Sequence, residues 1–314
     1  MKNATKIKVI GVGGSGNNAI SRMSTEKIEG VDLIAINTDV QDLKKTKADL
    51  KLQIGKKKTA GWGAGMNPKI GELAAQESKE EIKEIIKDAD MVFITCGLGG
   101  GVGTGATPVI AEISKKEGAL TVAVVTKPFS FEGVPRAKIA EDGLQDLKHK
   151  VDTLLVISND RLLSMVDPQT SVFSAFFICD DILRQAVQGI SDLITLPGII
   201  NVDFADLKSI MKNSGPALLG VGRASGEKRI DKAVSLAISS PLLDDTPLKK
   251  GRAVLFNISG GRDLALSEVN EAAQTIKNSV DPEARVIFGA VHDKNLAEGE
   301  AKIMVIITGF RQSR

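Results

Sequence analysis

Apolar and polar positions alternate in two rhythms along this 314-residue chain. In the first half, short apolar runs ("IKVIGV", "DLIAINT", "DMVFIT", "LTVAVVT" and "DTLLVIS") are separated by helix-like stretches. These are "NNAISRMS", a charged segment from about Asn67 to Asp88, "TPVIAEISKKEG" and "RAKIAEDGLQDLKHK". Buried strands interleaved with amphipathic helices predict a doubly wound α/β domain whose parallel sheet is covered on both faces. Ile178, Ile182, Leu183, Val187, Ile190, Leu193 and Ile194 then recur at three- and four-residue steps, predicting one long amphipathic helix that "LPG" at 196–198 ends. Beyond it come "FADLKSIMKN", "PALLGVGRAS", a helix from Ile230 to Ile238, "AVLFNISG", a helix over "SEVNEAAQTIKNSV", "ARVIFGAV" and "KIMVIITGF". Three strand-like runs with two intervening helices predict a smaller α+β domain hinged on the long helix. The expected boundaries are 1–173, 174–198 for the connecting helix, and 199–314.

Composition narrows the chemistry. With 42% hydrophobic and 25% charged residues the chain is globular in character. No apolar run approaches the roughly 20 residues of a bilayer span, and the N-terminus has no signal-peptide layout. The expectation is a cytoplasmic protein with no direct membrane contact. A net charge of +2, 4% aromatics and no tyrosine leave neither an electrostatic groove nor a stacking platform, so no nucleic-acid partner is expected. Cys96 and Cys179 read as small buried thiols of a reducing compartment. Only His149 and His292 are present, which excludes a His-rich metal site. Chemistry must therefore rest on carboxylates, backbone amides and a borrowed ion.

Two glycine-rich segments follow strand-like runs. In "IKVIGVGGSGNNAI", Gly11, Gly13 and Gly16 have the G-x-G-x-x-G spacing of a dinucleotide-binding turn. Asp39, after the next strand-like run, suits the ribose-binding acid of an NAD site. On this turn alone a dehydrogenase, another nucleotide-binding protein and a ligand-free tight turn all stay open. The second segment, "GLGGGVGTGATP" at 97–108, changes the balance, because two such turns on neighbouring strand ends can surround a chain of phosphates. Neither turn is followed by the Lys-Ser or Lys-Thr of a Walker loop.

Gly99-Gly100-Gly101-Val102-Gly103-Thr104-Gly105 resembles the G-G-G-T-G-[ST]-G signature of the tubulin/FtsZ family of GTPases. The resemblance extends through "GVGGSGNNAI", "AINTD", "GAGMNP", "TKPFSFEG", "SNDRLL", "DILRQAVQGISDLITLPGIINVDFAD" and "SGEKRIDKAVSLAISSPLL", in the family's order, over about residues 7 to 310. It implies a Rossmann-like parallel-sheet GTPase domain joined by a long central helix to a smaller α+β domain. It also implies GTP and GDP as ligands, with Mg²⁺ held through phosphates and water, and self-association into head-to-tail filaments of the cell-division ring, with room for accessory division proteins. The phosphate contacts implied are Gly13, Gly14 and Asn18 in the first turn, and Gly97, Gly100, Gly101, Gly103, Thr104 and Gly105 in the second. Ala64 and Gly65 would approach the terminal phosphate. Glu132 and Arg136 would hold the ribose and its surroundings, and Asn159, Phe176 and Asp180 the base. Taken singly, Phe176 reads as a core residue, Asp180 with Asp181 as a solvated face, and Glu132 with Arg136 as a surface ion pair.

In "NVDFAD", the resemblance makes Asn201, Asp203 and Asp206 catalytic, acting on the nucleotide of a neighbouring subunit. The spacing of the two acids is equally that of an Asx turn and helix N-cap. Val102 stands where the signature has threonine, which predicts retained binding with slower turnover. It also keeps open a non-polymerising regulatory relative. Trp62 and Met66 occupy the segment beside the terminal phosphate.

Overall fold

The computed structural model describes residues 5–167, 169–196, 198–243 and 248–310. The chain divides into two compact units that meet in sequence between Gln188 and Gly189.

The first unit contains β1 (Ile7–Val12), α1 (Gly13–Thr25), β2 (Val31–Asn37), α2 (Val40–Lys45), β3 (Leu50–Gln53), α3 (Lys56–Thr59), α4 (Pro68–Glu77) and α5 (Lys79–Ile86). It continues with β4 (Met91–Gly97), α6 (Gly101–Lys116), β5 (Leu120–Lys127), a 3-10 turn (Ser130–Glu132), α7 (Val134–Lys148), β6 (Thr153–Ser158) and α8 (Asn159–Leu163). Its six strands are all parallel, in the order β3-β2-β1-β4-β5-β6. The apolar runs became strands because both faces of the sheet are covered: β4 and β5 are buried along nearly their whole length, with Val92, Ile94, Ala123 and Val125 in one continuous core. Each fully buried aliphatic side chain contributes about 1.5–3 kcal/mol. The strand order reverses around β1 and β4, the topological switch point where open α/β sheets present their ligand crevice.

Three local expectations change. The charged segment is two helices, because Ser78 leaves the helical path (φ −100°, ψ 22°) and its buried hydroxyl accepts the Gly55 N–H at 3.1 Å. The stretch containing "LKLQ", whose apolar/polar alternation spans only four residues and is only partly buried, is recruited as edge strand β3 by parallel pairing with β2. Glycines 101, 103 and 105, expected in a loop, form the first turns of α6.

The long amphipathic helix is α9 (Val172–Thr195). Pro197, its expected stop, lies outside the described residues. The second unit continues with α10 (Phe204–Met211), β7 (Gly215–Ser225), α11 (Arg229–Ile238), β8 (Ala253–Gly260), α12 (Leu266–Ser279), β9 (Arg285–His292) and β10 (Glu300–Thr308). Its strands run β7-β10-β8-β9, antiparallel except for the parallel β8–β9 pair. The sequence predicts three strands here, and β7 is a fourth. Its glycines hide it from a hydrophobicity pattern, yet they let α11 lie close: a Cβ on Gly222 would stand 2.7 Å from the Ala237 nitrogen. No helix among the described residues is long and apolar enough to cross a membrane.

Candidate functional site

Two helices of the first unit start where their strands end, and neither start is capped by a side chain. Val12 leads directly into α1 and Gly100 into α6, with no capping hydrogen bond and no acidic residue in either first turn. The first amides of such helices have no intrahelical partner, and the helix dipole makes them attractive to anions. The two N-termini almost touch. Gly13 adopts φ +71°, and a Cβ there would stand 2.9 Å from the Gly103 nitrogen. Ala64 closes against α6 in the same way, since a Cβ on Gly101 would lie 2.8 Å from the Ala64 methyl.

These elements surround a cavity of about 550 Å³, within the range of small-molecule sites. Gly13, Gly14, Asn18, Ala64, Gly65, Gly97, Gly100, Gly101 and Gly103 line the end made by α1 and α6, and Glu132, Arg136, Asn159, Phe176 and Asp180 also line it. Glu132 is held at both oxygens: Oε1 accepts the Phe129 N–H at 2.8 Å and Oε2 accepts Arg136 Nη1 at 2.5 Å. Phe176 meets Phe129 edge-on, ring centroids 5.2 Å apart. Asn159 is buried, and its Oδ1 has no hydrogen-bond partner, an acceptor left for a ligand that donates. Burial pushes Asp180 up to about 6, against the opposing pull of Arg22, whose Nε lies 3.5 Å from Oδ2.

Thr104 and Gly105 do not line this cavity. Thr104 turns its hydroxyl to accept the Gly99 N–H at 2.9 Å, fixing the turn, and its methyl packs on Gly143. Gly105 is where α4 crosses α6. Their contribution is to the shape of the cradle.

The residues that the sequence reading did not assign include Asn37 and Asp42. Asp42 Oδ2 accepts amide groups from Asn37 at 2.6 Å and Asn17 at 3.3 Å, and Asp42 lines the cavity. The segment "AINTD" was the available signal. Asp39 also faces the cavity, but its Oδ1 caps α2 by accepting the Gln41 and Asp42 amides. Cys96 and Cys179 are buried and free, both thiols pushed up to about 12 chiefly by burial, and Cys179 lies in the cavity wall.

Asn201, Asp203 and Asp206 belong to the second unit. Asp203 is the N-cap of α10, accepting the Ala205 N–H at 3.0 Å, as an Asx turn requires. Asn201 Oδ1 accepts the Gly198 N–H at 2.7 Å. All three side chains are exposed. Among the described residues no group of three or more His, Cys, Asp or Glu side chains could hold a metal ion.

Comparison with known proteins agrees with this architecture. Residues 6–167 match the model of the tubulin/FtsZ family GTPase domain, and residues 215–311 that of the FtsZ family C-terminal domain. An empty FtsZ dimer from M. jannaschii is similar at 52% identity and a TM-score of 0.95, over 98% of this chain and 89% of that one. CetZ2 from Haloferax volcanii, in a protofilament with GTPγS bound, shares the fold at 20% identity and a TM-score of 0.79, over 99% of this chain and 95% of that one. CetZ1 from the same organism, a GDP-bound monomer, does so at 21% and 0.81, over 98% and 95%. A matched GTPase domain, a matched C-terminal domain and half-identical sequence over nearly the whole length establish that the chain belongs to the FtsZ family of tubulin-like GTPases.

Proposed function

We propose that this chain binds GTP in the cavity of its first unit and hydrolyses it only after self-association, when the "NVDFAD" segment of a neighbouring copy reaches the terminal phosphate. The observation that carries the reading is the pair of uncapped helix N-termini, α1 and α6, meeting at one cavity with no carboxylate competing in either first turn. One such terminus suits a single phosphate group, and two side by side suit a triphosphate. At the other end, guanine offers N1–H and an exocyclic amine to Asp180, while Asn159 Oδ1 is free to accept. Adenine presents no such pair of donors, and a buried acceptor left unpaired penalises it.

Hydrolysis joins a water oxygen to the γ phosphorus as the bond from that phosphorus to the bridging oxygen breaks, releasing GDP and inorganic phosphate. Such chemistry needs positioning and charge stabilisation more than a covalent intermediate. Asn201, Asp203 and Asp206 of the adjacent copy orient the water. Mg²⁺ would supply charge neutralisation on the phosphate oxygens, with water as its other ligands, since no cluster of three or more His, Cys, Asp or Glu among the described residues could hold it. Loss of the terminal phosphate then weakens the interface. The filaments so formed are those of the division ring, placing the protein in the cytoplasm at the division site, with accessory division proteins as further partners.

The test is the GTPase rate per subunit as protein concentration rises, with light scattering in parallel. Rates that climb with concentration, and that collapse in Asp203→Ala and Asp206→Ala while GTP binding persists, agree with the reading. Full activity in both variants, or a rate independent of concentration, refutes it.

A further inference from the structure

Asp180 is a wall shared by two cavities. It lines the inner one described above and, with Asn18 and Phe176, an outer cleft of about 580 Å³ that also contains Arg22, Lys45, Lys47 and Phe177. Arg22 lines the outer cleft and not the inner cavity, so its guanidinium approaches the carboxylate from the side away from the phosphate cradle. It is fixed there on two counts: Nε donates to Asp180 Oδ2 at 3.5 Å, and Cζ sits 3.5 Å from the centroid of the Phe177 ring. A guanidinium stacked on an aromatic face keeps its charge and loses rotational freedom, a fixed source of positive potential beside a mostly buried acid.

We propose that Arg22 is a positioning residue for base recognition, holding Asp180 ionised and oriented so that both of its oxygens can accept from a guanine base. The inference rests on the guanine reading of the cavity. A carboxylate can accept from N1–H and from the 2-amino group together. A protonated carboxyl keeps one good acceptor and turns the other oxygen into a donor, which faces the 2-amino group wrongly. Ionisation of this one group therefore decides how strongly guanine is preferred over hypoxanthine, which has N1–H but no 2-amino group.

The balance is a fine one. Burial raises Asp180 to about 6, Arg22 opposes that rise and Asp181 adds to it. Other charges share its surroundings. Just past the end of α1 there is Glu26, and from the α2 side Lys45 and Lys47, all lining the outer cleft. In the inner cavity there are Glu132 paired with Arg136, and Asp39 and Asp42. Asp181 is itself paired with Arg184 at 2.7 Å, and the Cys179 thiol is neutral at ordinary pH. Arg22 is the cation in direct contact with Asp180, so its removal moves the carboxyl further upward, by about one pH unit for an opposite charge at this distance and partial exposure.

The experiment measures Kd for GDP and for IDP on the whole protein from pH 5.5 to 8, for wild type, Arg22→Met and Arg22→Lys. The two ligands carry the same diphosphate, so the ratio of their Kd values cancels phosphate titration. In wild type the preference for GDP should fall as pH drops through about 6. In Arg22→Met the fall should come about one unit higher, leaving about threefold less preference at pH 6.5, and Arg22→Lys should restore the wild-type profile. A thermal melt of each variant confirms that it is folded. If Arg22→Met lowers affinity equally at every pH with an unchanged GDP preference, Arg22 is only a packing residue and the inference fails while the guanine reading stands. If wild type does not prefer GDP over IDP at any pH, the guanine reading itself fails.

Discussion

Gly105 tests the distinction between a glycine that touches phosphate and one that lets two helices meet. A Cβ placed on it would overlap the Pro68 carbonyl oxygen and stand 2.7 Å from the Pro68 carbonyl carbon and 2.8 Å from the Glu72 nitrogen. These are backbone atoms of α4, so no side chain can swing aside, and α4 must move away from α6 by about an ångström or more to reach ordinary contact. Overpacking of a close interface costs about 1–3 kcal/mol, and here the obstacle is backbone, which favours the upper end. Alanine's better helix propensity returns about 1 kcal/mol. The net expectation for Gly105→Ala is a loss of about 2 kcal/mol, read by urea denaturation of the nucleotide-free protein. Gly100→Ala is the matched comparison. A Cβ there meets nothing within 4 Å and its backbone is extended (φ −92°, ψ 170°), yet it lines the cavity. It should keep wild-type stability and weaken GTP binding. Wild-type stability in Gly105→Ala would refute the claim that this residue serves helix packing.

Further outcomes follow from the same geometry. Asp180 has a folded value raised to about 6 above its ordinary 3.8, so the protonated form favours folding. That contribution is complete below the ordinary value and is lost as pH rises through about 6. Asp180→Asn should therefore stabilise the nucleotide-free protein at pH 8 by about 1–2 kcal/mol, the loss of the Arg22 contact offsetting part of the gain, and leave it unchanged near pH 4. Parallel stability curves from pH 4 to 8 would contradict this. Val102 lies at the cavity wall in the first turn of α6, and Val102→Thr adds a hydroxyl there. It should tighten GTP binding or speed turnover by about fivefold, the worth of roughly one hydrogen bond, and identical kinetics would remove Val102 as a brake. Trp62 is 70% exposed and is the chain's one tryptophan, so its emission should begin red-shifted and move to the blue on GTP-driven self-association. An unchanged spectrum in assembled protein would place the 62–66 segment outside the contact.

Much of the fold was legible because burial on both faces of a sheet leaves a strong imprint: β1, β2, β4, β5 and β6 are the five apolar runs read from the first half. What escaped was held by pairing or close approach. The edge strand β3 exists because β2 offers it a hydrogen-bonding partner. In β7, Gly220 and Gly222 meet α11, a contact that depresses hydrophobicity while enabling the packing. The break between α4 and α5 is set by Gly55, more than twenty residues away, whose amide needs the Ser78 hydroxyl.

The candidate site divides in the same way. By itself the sequence determined the family and the two glycine-rich segments that follow strands, because motif order and backbone-permissive glycines are properties of the linear chain. Only tertiary structure decided which glycines reach the cavity. Gly13, Gly100 and Gly103 line it, while Gly105 faces Pro68 across a helix crossing. Only tertiary structure, too, decided that Asp39 spends its carboxylate on a helix cap and that Arg22 stands behind Asp180. A helix places consecutive residues about 100° apart, so neighbours in one motif face different partners, and the electrostatics of a carboxyl depend on burial and on cations brought from distant elements.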